Sequence, residues 1–194
     1  LWKQSINVLS ELIKASLEPA RWQHTVRCQE CAVKLALHYG YSGEKASLAA
    51  LCHDAFRDLS ATQWLRLAEK WQMTVLHEEK KAPVLLHGPL AARYFELHWE
   101  IKDQEVLSAI RFHTSGHPDL EPIGKIVFLA DGIEPGRMFP EREALEIIAF
   151  QNLDTACLKM LEANIRFLQS QDMICHPASY QWLKQLEKQR KNGV

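Results

Sequence analysis

An imidazole and a carboxylate stand side by side in Ala49-Ala50-Leu51-Cys52-His53-Asp54-Ala55-Phe56-Arg57, where an apolar helical run comes to its end. Adjacent side chains on a helix diverge by about 100°, so His53 and Asp54 reach one small ion only if the helix end splays them. Two cations sharing Asp54, with His53 on one of them, remove that constraint. Taken alone, such a pair is most simply a solvated helix end. Four further residues change its meaning: His24 upstream, and His87, His113 and Asp131 downstream, each in a short segment built to hold it. Six nitrogen and oxygen donors of this kind suit first-row metals such as iron, manganese, zinc or nickel, and disfavour a calcium cage.

The elements that would position these donors read as helices. Trp2, Ile6, Leu9, Leu12 and Ile13 recur at three- and four-residue steps, the stripe of an amphipathic helix, which ends near Leu17-Glu18-Pro19. A second helix runs from Arg21 to a stop at His38-Tyr39-Gly40; His24, Cys28, Cys31 and Leu35 share its inward face. Ser42 and Gly43 open a third, whose Ala46, Ala49, Ala50 and Leu51 allow close approach of neighbours and hold the His-Asp pair on a rigid support. Ser60 to Gln63 starts a helix bearing Trp64, Leu65, Leu67, Ala68 and Trp71, which reads as cover or scaffold. At His87-Gly88-Pro89 the backbone turns and Pro89 can begin a helix, so His87 is expected exposed at a helix mouth. Val106, Leu107 and Ile110 lead to His113 at a helix end, followed by a polar turn in which His117 is placed to meet substrate or water. Ile126 to Ala130 is apolar throughout, and periodicity alone does not separate strand from helix there. Helix is the choice, because no second strand-like segment offers a partner. From Glu141 the pattern is helical to the end, closing with Tyr180, Trp182, Leu183 and Leu186 and a basic, solvated tail.

Size and composition bound the rest. The 194 residues, 47% of them hydrophobic, suit one domain spanning 1–194 with a continuous core, and no Gly/Ser-rich or Pro-rich linker divides them. Lysine plus arginine number 23 against 24 acids, so the global field gives no reason to expect nucleic acid or an anionic membrane. The apolar stretches are too short to span a bilayer. Leu1-Trp2-Lys3-Gln4 does not read as a signal peptide, and five scattered cysteines suit a reducing compartment; a cytoplasmic location is expected. Cys28 and Cys31 form a C-x-x-C inside a helical pattern, where buried small apolar residues are the simpler role.

The ordered set His24, His53-Asp54, His87, His113 and Asp131 resembles the HD superfamily of metal-dependent phosphohydrolases. Within it the pattern is most similar to the bacterial HD-domain symmetrical bis(5'-nucleosyl)-tetraphosphatases, the YqeK-type family. The likeness covers roughly residues 20–140 and rests on Arg21-x-x-His24, Cys52-His53-Asp54, Leu86-His87-Gly88-Pro89, Ala109-Ile110-Arg111-Phe112-His113-Thr114-x-Gly116 and Leu129-Ala130-Asp131-x-Ile133-Glu134-Pro135-x-Arg137. The resemblance implies an all-α HD-domain helical bundle with additional C-terminal helices over about 141–190. It also implies two transition-metal ions, commonly iron, and symmetric cleavage of diadenosine tetraphosphate to two ADP. By position, His24, His53, His87 and His113 would supply nitrogens, Asp131 an oxygen, and Asp54 the bridge. The pattern departs from the family where Ala55-Phe56-Arg57 replaces a usual tyrosine, small residue and lysine. His117 stands for a usual arginine, Gly124 for a glutamate and Gly132 for a tyrosine.

The chemistry can be argued without the family. Phosphoanhydrides are shielded by their own charge, so a hydrolase must neutralise oxygens, generate hydroxide near neutral pH and align it in line. Two metals about 3.5–4 Å apart accomplish all three, with a bridging hydroxide as nucleophile; no serine or cysteine here is paired with a base in a recognisable triad. Arg57, one turn beyond His53, is the best placed phosphate ligand and is grouped with Asp54 as catalytic. Arg27, Arg111, Lys125 and Arg137 are further candidates, with Thr114 and His117 as hydrogen-bond donors. The competing readings are another nucleotidase or pyrophosphatase of the superfamily, a non-catalytic nucleotide- or metal-binding module, and, more weakly, a diiron oxygenase. A homodimer is compatible with the sequence.

Overall fold

The computed structural model describes the backbone of residues 2–192 and the side chains of residues 6–192; the expected role of the Trp2 side chain lies outside them. Among the described residues there are eleven α-helices and no strand. Helix α1 (Trp2–Ser16) buries Leu9 and Ile13 but turns Leu12 outward, so its stripe is narrower than the sequence suggests. Helix α2 (Pro19–His38) starts on a proline, whose missing N–H falls among donors without an intrahelical partner. Helix α3 (Gly43–Cys52) is capped by the Ser42 side chain, which accepts from Lys45 N, and its alanines pack closely on α2.

Helix α4 (Ala61–Lys70) opens on a Ser60/Gln63 capping box, while α5 (His77–Lys81) is a single short turn. Trp64 and Ala68 of α4 are buried with Leu86 and Leu90 in a satellite cluster, whereas Leu65 faces solvent. A 3-10 turn over Pro83–Leu86 runs directly into α6 (His87–His98), and α7 (Gln104–Phe112) follows with Asp103 as its cap. Pro89 is thus the third residue of α6, not its opener, a position that still needs no N–H partner.

Helix α8 (Pro122–Ile133) settles the ambiguous apolar run. Ile126 to Ala130 are buried on every side because α2, α3, α7 and α10 (Leu153–Ser170) surround the helix, and a helix buried all round needs no polar face. Between them, α9 (Arg142–Ala149) packs on α8 and α10. The last helix, α11 (Pro177–Lys191), packs on α10 and sends Trp182 into the core, where its ring meets Phe128 edge-on at 5.0 Å. That indole lies against Gly116, whose φ of +65° lets the turn after α7 fold under it. The five cysteines are free thiols; Cys28 and Cys31 are buried as expected. No described helix is long and apolar enough to cross a membrane.

Candidate metal centre

Three of the four candidate histidines follow one local rule. The last carbonyls of a helix have no intrahelical partner, and a histidine just beyond the helix end can satisfy one with its Nδ1–H. His53 donates to Ala50 O at 2.5 Å, His87 to Val84 O at 2.5 Å and His113 to Ile110 O at 2.8 Å, each three residues back. His24 sits in the second turn of α2, where carbonyls are already engaged, and donates instead to Glu134 Oε1 at 3.1 Å. Glu134 is held in turn by Arg27 Nε at 2.5 Å and Gly136 N at 2.6 Å. Partners of this kind fix the tautomer and orientation of metal-binding imidazoles.

The helix end also does what the His53-Asp54 pair requires. Beyond Cys52 the chain tightens into i-to-i−3 turns, Ala55 N to Cys52 O at 3.2 Å and Arg57 N to Asp54 O at 2.9 Å, which splay the two side chains. Gly88 allows the other close approach: a Cβ there would lie 2.8 Å from Arg111 O and 2.9 Å from Ile110 O. Its absence lets the start of α6 meet the end of α7, bringing His87 Nε2 to 2.9 Å from His113 Nε2.

The six residues converge as two sets joined by Asp54. Asp54 Oδ2 faces His24 Nε2 at 3.7 Å and His53 Nε2 at 3.6 Å; its Oδ1 faces His87 Nε2 at 3.2 Å and His113 Nε2 at 3.5 Å. Asp131 Oδ1 lies 3.1 Å from His24 Nε2, and His24 and His53 are 3.3 Å apart between their Nε2 atoms. Donor atoms of His24, His53 and Asp131, and separately of His53, Asp54 and His113, all fall within 4.8 Å of one another. With each Nδ1 committed as a donor, a neutral ring presents a lone pair at Nε2, so acceptors face acceptors. Added positive charge reconciles them, and burial argues against its being a proton on His53 or His87. Burial carries His53 down to about 4 and lowers His87, in each case against the pull of Asp54. Burial also opposes charge on His113, but its hydrogen bond to Asp54 and the nearby carboxylates raise it above the ordinary value. The donor set therefore fits a pair of transition-metal cations.

The carboxylates are kept ionised. Burial works to raise Asp54, Asp131 and Glu134, but each is held below the ordinary range. The partners are His53, His113 and His87 for Asp54, His24 and Arg137 for Asp131, and Arg27 and His24 for Glu134. Arg137 binds both the Asp131 carboxylate and, at 2.8 Å, its carbonyl. Arg21 Nη1 donates to Asp54 Oδ2 at 2.9 Å.

A cavity of about 540 Å³ opens over this centre, and Arg57, Thr114 and Arg137 are among the residues that line it. Arg111 and His117 do not; they line a neighbouring cavity of about 560 Å³, and Thr114 borders both. Arg27 and Lys125 border neither, because Glu134 and Asp154 respectively engage them, the latter at 2.5 Å. His87 is buried instead of exposed at a helix mouth, since the 3-10 turn and α7 close over it. Sequence reasoning assigned no role to Arg21, Lys81 or Glu134. Arg21 and Glu134 stand three residues from His24 and Asp131, a helical spacing that signals a shared face; Lys81 carries no such signal.

The chain's residues 21–136 match the HD domain family model, and the chain belongs to that family: it is an HD-domain phosphohydrolase. Its relatives sharpen the class. It is 37% identical over 183 residues to the symmetrical bis(5'-nucleosyl)-tetraphosphatase of Halalkalibacterium halodurans, covering 93% of this chain and 96% of that one. The enzyme of the same name from Bacillus subtilis is 31% identical, over 88% and 93%. A crystal structure from Clostridium acetobutylicum, described as an HD superfamily hydrolase involved in NAD metabolism, superposes with a TM-score of 0.91 at 28% identity, covering 95% of this chain and 97% of that one.

Proposed function

We propose that this chain hydrolyses diadenosine tetraphosphate symmetrically to two ADP, with His24, His53, Asp54, His87, His113 and Asp131 holding two metal ions. The observation that carries the reading is Asp54, whose two carboxylate oxygens each face a separate pair of imidazoles beneath a cavity bordered by cations. Two metal ions held by these residues would supply Lewis acidity and activate water near neutral pH; iron is the metal the family resemblance favours. Arg57 and Lys81, both on the cavity wall, neutralise phosphate oxygens of the substrate. Arg21 and Arg137 orient Asp54 and Asp131 while adding positive charge to the same wall. Water adds across the central P–O–P linkage: its oxygen joins one phosphorus, and the bridging oxygen leaves with the other half. Thr114 Oγ1, 2.9 Å from His113 Nε2 and 3.2 Å from His87 Nε2, is placed to donate to a substrate oxygen arriving there.

Protein loaded with iron(II) or manganese is incubated with diadenosine tetraphosphate and the products separated by anion exchange. ADP alone is expected; AMP with ATP would overturn symmetric cleavage. The name of the Clostridium acetobutylicum relative favours one further reading, a pyrophosphatase acting on NAD, which also joins two nucleosides through a phosphoanhydride. Release of AMP from NAD, at a rate exceeding ADP formation from the tetraphosphate, would establish that reading in place of the first.

A further inference from the structure

The cavity over the metal centre has a neighbour of nearly its own size, about 560 Å³ beside about 540 Å³. The two share Leu85, Thr114, Ser115 and His176, so the dividing wall runs beside His87 and His113. Their linings differ in chemistry. The first carries Arg21, Arg57, Lys81 and Arg137 and suits a polyphosphate chain. In the second, Arg93 is paired with Glu96 at 2.7 Å and Glu79 accepts from Leu76 N at 2.7 Å, which leaves little net charge. What the second cavity offers instead is ring surface: the His117 ring stacks on Phe112 at 4.3 Å and 23°, and Trp71 stands on the same lining. Arg111 has no ion-pair partner among the described residues and lies 6.0 Å from the Phe112 ring centroid. Each cavity falls in the range of sites that bury small molecules, about 300–1,000 Å³.

We propose that the second cavity is the subsite for the second nucleoside of a two-headed substrate, with His117 and Trp71 offering stacking faces to the base and Arg111 meeting the ribose or its nearest phosphate. The inference rests on the proposed hydrolysis of dinucleoside tetraphosphates. One nucleoside held in the cavity over the metal centre and the other in the cavity adjoining it bring an interior phosphoanhydride of the tetraphosphate, not an end, to the reacting position. A nucleoside diphosphate then remains in each compartment after cleavage.

The consequence is a stoichiometry. Metal-loaded protein titrated with ADP by calorimetry is expected to bind two ADP per chain. Gln181→Trp, an exposed α11 position bordering only the second cavity, should obstruct it and reduce the count to one. His117→Ala should keep two sites and weaken one about tenfold, the scale of losing a base-stacking surface; this holds the test open if the tryptophan variant unfolds. A single ADP in the wild type, or two undiminished sites in both variants, would overturn the subsite. Those outcomes are separate from failure of the parent reading, which would show as no hydrolysis of diadenosine tetraphosphate by the wild type whatever its ADP count.

Discussion

Replacing Asp54 by alanine tests the centre where it is most exposed to failure. The carboxylate contributes one oxygen to each donor set: Oδ2 joins His24, His53 and Asp131, and Oδ1 joins His87 and His113. Structural sites with four protein donors bind zinc with about 10–16 kcal/mol, so one donor is worth about 3 kcal/mol. At about 1.4 kcal/mol per tenfold change, that is about a hundredfold in affinity at each position. The loss is unequal in consequence. One set keeps two imidazoles and a carboxylate, while the other is left with two imidazoles and no negative charge. Asp54→Ala should therefore purify with about one metal or fewer per chain, and turnover should vanish. The assay is metal quantification on protein prepared without chelators, alongside ADP release from diadenosine tetraphosphate. Two metals per chain with wild-type turnover would refute the bridging role.

Arg57→Ala should leave metal content intact and lower kcat/KM about 10- to 100-fold, the scale of a hydrogen bond to a charged group, about 1.5–3 kcal/mol; unchanged kinetics would remove Arg57 from the phosphate site. Glu134→Gln withdraws the carboxylate that orients His24 and should weaken binding of one metal about 10- to 100-fold while sparing the other, as read by competitive chelator titration. Gly88→Ala forces a methyl against the end of α7 and should cost about 1–3 kcal/mol of stability, with activity falling as His87 and His113 separate; an unchanged unfolding midpoint would contradict that close approach. In chelator-treated protein, His53 stays neutral down to about pH 4 when folded but takes a proton near 6.5 when unfolded. The unfolded state thus binds more protons across that window, and about 3 kcal/mol of stability is lost as pH falls through it. His87 acts in the same direction in that window and the depressed carboxylates below it, as pH falls past the ordinary carboxylate range, while His113, raised, acts against them. Denaturant midpoints that rise on acidification would show that His113 outweighs the rest.

The six-residue centre was legible because its signals are local. A histidine directly after an apolar helical run has a free carbonyl three residues back to hold it, and His53, His87 and His113 all use that device. The helices themselves were legible from periodicity and caps, and α8 from the lack of any strand partner. The arginines were not separable in the same way. Arg21 and Arg27 flank His24 at equal spacing on α2, and only tertiary packing decides that Arg21 reaches Asp54 while Glu134 claims Arg27. Lys81 and His176 reach the cavities from the short α5 and the segment just before α11, so no periodicity could announce them, whereas Trp71 was legible as an apolar position of α4 but not as cavity wall.

The departures from the family pattern have a physical reading of the same kind. A side chain at Gly132 would run into Met160 of α10, its Cβ only 2.9 Å from the sulfur, so the thioether already occupies the space that a larger residue at that position would need. Leu120 fills the corresponding space beside Gly124. In both cases a residue outside the metal-binding segments fills the space beside the glycine, and packing this dense leaves no room for a larger side chain there. Arg57 and His117 are different, because they face the cavities and no neighbour substitutes for them. A change at a buried position must be met by repacking, whereas a change on the cavity walls falls directly on substrate recognition. For this chain, then, substitution at Arg57 or His117 should change nucleotide preference while leaving the six clustered side chains in place.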